Sequence, residues 1–186
     1  MGLFEDEINQ DVAAHAERAA TERSTQESQL ADAAAAVPEV IEVVRECATY
    51  LASNVRPRSV EFGPDKKLLR KKLRSPDGFF LESVTRSAYN SVESFVLITP
   101  DGQLWSSIFT GPQYIAGPTF NHGFVPVTAE TVADGRLRLG GDARVGSAAG
   151  RAIAKTPMSH GDLPRIEPLA KFLAGAARLI VERGNR

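Results

Sequence analysis

Six cations fall within nine positions between Lys66 and Arg74: Lys66, Lys67, Arg70, Lys71, Lys72 and Arg74. Such side chains break no bonds by themselves; clustered Lys and Arg hold anions by neutralising phosphate or carboxylate charge. The run is a candidate surface for an anionic partner, and Arg136 and Arg138, alternating with Leu137 and Leu139, could extend it. Water and salt alone, the phosphates of a nucleic acid, and an acidic protein surface all fit it. A second set of residues suits metal binding or proton transfer. His122 in Asn121-His122-Gly123 and His160 in Ser159-His160-Gly161-Asp162 lie in Gly-bracketed segments, and with Asp162 they have the two-His-one-carboxylate composition of a metal site, provided the fold gathers them. Nothing in their spacing does so. There is no His-Glu-x-x-His, and Cys47, the single cysteine, lies on a helical apolar stripe where it reads as packing. Residues 141–147, GDARVGS, have the outline of a phosphate loop but lack the lysine before Ser147 that would hold the β- and γ-phosphates. No cofactor is expected.

The net charge of −1 conceals an asymmetry. Residues 1–50 carry eleven acidic and three basic side chains, a local net of −8, whereas 51–186 carry nineteen basic and twelve acidic, a net of +7. Asymmetry of this kind points to a charged partner or to pairing between the parts of the chain. The composition, 42% hydrophobic and 24% charged over 186 residues, is that of a globular protein with one main core. No apolar run approaches the roughly 18 residues that span a bilayer, and the N-terminus lacks a signal-peptide pattern. The expectation is a cytoplasmic protein that engages no membrane, and one cysteine suits a reducing compartment.

These residues need elements to position them. Residues 3–35 are rich in helix formers, but the stripe Phe4, Ile8, Val12, Ala16, Ala19 is narrow and vanishes across Thr21–Gln29. This predicts an acidic helical extension over 1–35, projecting or docked on another subunit, beside a single domain over 36–186. Pro38-Glu39 predicts the start of a second helix, ending at Asn54 and burying Val40, Ile41, Val44, Cys47, Ala48 and Leu51. Turn signals at Ser75-Pro76-Asp77-Gly78, Thr99-Pro100-Asp101-Gly102 and Ala133-Asp134-Gly135 predict antiparallel strands. Around the second, Leu97 should face Trp105 and Ile98 should face Leu104, with apolar side chains on both faces. Further strands are predicted at 59–62, 79–85 and 136–139. The basic run reads as a short helix from Pro64-Asp65 in preference to an edge strand, and residues 110–127 read as a long ordered loop able to carry a site. Pro168 should open a final helix burying Leu169, Phe172, Leu173, Ala176, Leu179 and Ile180.

The predicted fold is α+β: N-terminal helices, an antiparallel sheet of about five strands, and a C-terminal helix packed on the sheet. The function expected of it is that of a non-catalytic cytoplasmic interaction protein, an adaptor, chaperone or regulator acting through charged surfaces, with a protein partner and a homo-oligomeric state. The alternatives are a nucleic-acid-binding protein using residues 66–74, and an enzyme with its site in the 110–127 loop.

Overall fold

In the computed structural model of the chain, the described residues are 3–62, 73–86, 91–110, 119–140, 142–157 and 163–184. A single helix, α1 (Leu3–Asn54), runs through Pro38 without interruption. The two helices expected from Pro38-Glu39 are therefore one. Pro38 removes a backbone hydrogen bond to Ala34 and costs about 3 kcal/mol in a helix interior, but tertiary contacts hold the helix on either side of it. Ala33, Ala36, Val40, Val44, Cys47, Ala48 and Leu51 are all buried, whereas Ile41, expected among them, is exposed. Glu39, just after the proline, accepts hydrogen bonds from Arg151 Nε at 2.9 Å and from the Ala152 backbone N–H at 3.0 Å.

The first sheet contains β1 (Glu61–Phe62), β2 (Leu73–Arg74), β3 (Phe79–Arg86), β4 (Ser91–Ile98), β5 (Leu104–Thr110) and β6 (Thr119–Phe124). Its pairs are antiparallel except β1 with β4, where Phe62 faces Val92 in parallel. The β4–β5 hairpin has the predicted register, Leu97 with Trp105 and Ile98 with Leu104. Its loop is Pro100-Asp101-Gly102, closed by Thr99 N–H to Gln103 O at 2.9 Å, with Gly102 at φ +81°. Both faces are buried. Phe79, Ile98 and Leu104 join the main core with α1, while Phe95, Leu97 and Trp105 form a second cluster with Val60 and Phe80. Phe95 stacks on Trp105 with ring centroids 5.1 Å apart.

The other two turn signals work differently from expectation. Gly78 closes no hairpin; Arg58 and Gly78 exchange backbone hydrogen bonds at 3.0 Å, which lays the segment before β1 against the start of β3. Asp134-Gly135 ends a short helix, α2 (Ala129–Ala133), with Gly135 at φ +61° donating to Val132 O, as a C-terminal glycine does. The last predicted strand is correspondingly shifted to β7 (Arg138–Gly140).

A second sheet, in the order β10-β9-β8-β7, contains β8 (Ala143–Ala148), β9 (Arg151–Thr156) and β10 (Arg165–Pro168). Among the described residues, the ten strands in two sheets exceed the five expected. The β8–β9 hairpin turns on Ala149 and Gly150, both left-handed at φ 48° and 71°, a two-residue geometry that strands favour but alanine seldom supplies. Residues 143–147 are thus strand, so the supposed phosphate loop is absent; a Cβ on Gly146 would stand 2.7 Å from Lys155 Cε. The 110–127 segment is likewise not a loop throughout, because Thr119–Phe124 pairs with β5. The last helix, α3 (Leu169–Gly184), buries Leu169, Leu173 and Ala177 against α1 and reaches strands of both sheets.

Two expected outcomes follow from α1. The Arg151 guanidinium and the Ala152 N–H hold the Glu39 carboxyl below its ordinary value, against desolvation. A group depressed in the folded state stabilises the fold at pH above its unfolded value and loses that contribution as pH falls through the folded value. The stability difference between the native protein and Glu39→Gln should therefore be greatest near neutrality and close on acidification, read by chemical denaturation at several pH values. Cys47 is 8% exposed, and burial pushes its thiol up to about 11. A disulfide reagent at pH 8 should leave the folded protein unmodified and titrate one thiol after unfolding.

Candidate docking groove

Where α3 crosses the start of β3, the apolar layer is left partly open. α3 turns Leu169, Leu173 and Ala177 inward, so its next face, Phe172, Ala176 and Ile180, is only half buried and Leu179 is 46% exposed. The predicted burial of Leu179 is therefore corrected: the helix has a wider apolar face than the sheets cover. Opposite it lie Phe80 and Leu81, half buried. Gly140, at φ +113°, lets β7 come close to β3 here; a Cβ on it would stand 3.1 Å from Glu82 Cβ.

The result is a groove along α3 made of two joined hollows of about 640 and 470 Å³ that share Phe80, Leu81, Ile180 and Arg183. Gly175 opens its side, because a Cβ there would meet no atom within 4 Å. The rim is basic. At one end stand Arg56, Arg58 and Arg183, all exposed and with no carboxylate partner among the described residues. Arg58 lies 5.4 Å from the centroid of Phe80, an arrangement that holds a guanidinium over an aromatic face. At the other end Arg165 and Lys171 share one carboxylate, Glu167, at 3.3 and 3.9 Å. Among the described residues, the groove is thus lined by five cations and two carboxylates, Glu82 and Glu167. Glu82 Oε2 is buried and accepts no hydrogen bond among the described residues. A buried oxygen of this kind is costly to leave unpaired, so a donor brought by an occupant would be favoured there.

The residues singled out from the sequence lie elsewhere. Lys66, Lys67, Arg70, Lys71 and Lys72 fall outside the described residues, as do His160 and Asp162. Arg74, the end of the basic run, is in edge strand β2 and donates to Ser59 Oγ at 2.7 Å; the helix expected for the run does not extend to it. Arg136 is bound to Asp134 at 3.0 Å and lines a polar cleft between α2 and residues 21–30 of α1, while Arg138 stands on β7 opposite Arg144. Arg74 and Arg138 belong to different sheets, and Arg136 lies in no strand. The backbone of His122 faces Ser107 in the β5–β6 pair, and its side chain is outside the description. Among the described residues no three His, Cys, Asp or Glu side chains gather as metal ligands do, and no helix is long and apolar enough to cross a membrane.

Arg56, Arg58 and Arg183 were missed because only the third dimension brings them together. The Arg56-Pro57-Arg58 doublet was a signal, but Arg183 carried only the pattern of a helix-terminal cation. Compared with known proteins, the chain matches no family model, no curated protein and no solved structure.

Proposed function

We propose that the chain is a non-catalytic interaction protein of the cytoplasm, an adaptor, chaperone or regulator, that receives an acidic amphipathic segment in the α3–β3 groove. The observation that carries this reading is the combination of half-buried apolar side chains along α3 with the arginines Arg56, Arg58 and Arg183 at the rim. Helix-in-groove recognition uses apolar anchors spaced three and four residues apart along one helix face for affinity. Exposed ion pairs contribute about 0.2–1 kcal/mol each and weaken with salt, so the rim sets orientation and selectivity while the apolar floor supplies most of the affinity.

The test is fluorescence anisotropy with a synthetic 16-residue helical peptide carrying Leu at every fourth position and Glu on both flanks. Binding on the order of micromolar is expected, weakened at least tenfold by the triple variant Arg56→Glu, Arg58→Glu, Arg183→Glu, whose sites are exposed and whose fold is checked by circular dichroism. Equal affinity in both proteins would contradict the groove reading. Salt-sensitive retention of a DNA or RNA oligonucleotide, unaffected by the triple variant, would select instead a nucleic-acid-binding protein working through residues 66–74.

A further inference from the structure

We infer that the segment this groove receives is the start of α1, residues 4–16, from a second copy of the chain. The inference rests on the groove reading above and adds the identity of the occupant. Residues 4–16 carry Glu5, Asp6, Glu7 and Asp11, one histidine, His15, and no Lys or Arg, and their apolar residues Phe4, Ile8, Val12 and Ala16 recur every four positions. Carboxylates beside such a stripe are the complement of a basic rim above an apolar floor. Asn9, at the edge of that stripe, adds a side-chain N–H group of the kind the buried Glu82 Oε2 lacks among the described residues. The lengths agree as well: α3 has 16 residues, about 24 Å at 1.5 Å per residue, and a helix of 13 residues is about 20 Å long.

The occupant must come from another molecule. Asn54, the last residue of α1, lines the groove, and in an unbroken helix Val12 lies about 63 Å from it. The protruding turns cannot fold back onto their own body. Residues 11–30 are exposed or half-buried throughout, Val12 being 63% exposed, so this part of the helix is available to a neighbour. Reciprocal exchange would give a two-fold dimer in which each groove holds the other copy's helix.

Two full-length single-cysteine additions test this, Val12→Cys on the helix and Gly175→Cys at the open side of the groove, with buried Cys47 as a silent background. Mixing the two variants under mild oxidation should give a disulfide-linked dimer that neither forms alone. Gly175→Trp, which fills the groove at a position free of neighbours, should convert the native dimer to a monomer in light scattering. Self-linking of Val12→Cys alone would show the helices pairing with each other and would overturn the inference. So would a native protein that is monomeric at all concentrations. If the cross-linking fails while the synthetic peptide still binds, the groove stands and its occupant is another protein; if both fail, the groove reading falls too.

Discussion

Leu97→Ala should destabilise the protein by about 2–5 kcal/mol, measured by chemical denaturation. Leu97 is fully buried in β4, between Phe80 on β3 and Trp105 on β5, in the cluster that also holds Phe95. Truncation removes its transfer free energy and leaves a cavity whose walls are stacked aromatic rings, which relax little into the space. A cost below about 1 kcal/mol would mean that this second face of the sheet is not a packed core.

Gly78→Ala should cost about 1–3 kcal/mol by overpacking, although alanine is ordinarily the better residue. A Cβ at this position would lie 2.6 Å from Leu97 Cδ1 and 2.8 Å from the Ile98 carbonyl oxygen. The leucine tip can rotate; the carbonyl belongs to the β3–β4 ladder and cannot. Gly78 also exchanges two backbone hydrogen bonds with Arg58, so relief by moving residue 78 would disturb Arg58 and the basic end of the groove. A double variant with Leu97→Ala should show coupling, since the shortened side chain removes one of the two close contacts. Strict additivity would place the strain wholly at Ile98.

The parts of the fold legible in the sequence were those whose signal is local. The Pro100-Asp101-Gly102 turn, flanked by apolar residues on both strand faces, gave the β4–β5 register residue for residue. Leu169 to Gly184 announced a helix by period and by its flanking proline. Where the deciding contacts are distant, the local signal misled. Pro38 reads as a helix start, yet Ala33 and Ala36 are buried upstream of it and Glu39 is bound to a hairpin more than a hundred residues away. Gly135 reads as a hairpin glycine and stops a helix; Gly150 reads as a glycine for a tight turn or close packing, and with Ala149 it turns the β8–β9 hairpin. The groove was less legible still, because Arg58 and Arg183 are 125 positions apart in the chain and Leu179 has the helical spacing of a core residue. The Arg56-Pro57-Arg58 doublet and the charge imbalance between residues 1–50 and the rest were the features in the sequence that pointed toward such a site.

Methyl-resolved NMR of the Leu, Ile and Val side chains during titration with the synthetic acidic peptide tests the groove most directly. Binding there should shift the methyls of Leu81, Leu179 and Ile180, which line it, and leave those of Leu97, Ile98 and Leu137, which are buried elsewhere, where they are. The shifts should shrink as salt is added. Perturbations confined to Leu30, in the cleft between α1 and α2, or no perturbation at saturating peptide, would contradict docking in the α3–β3 groove.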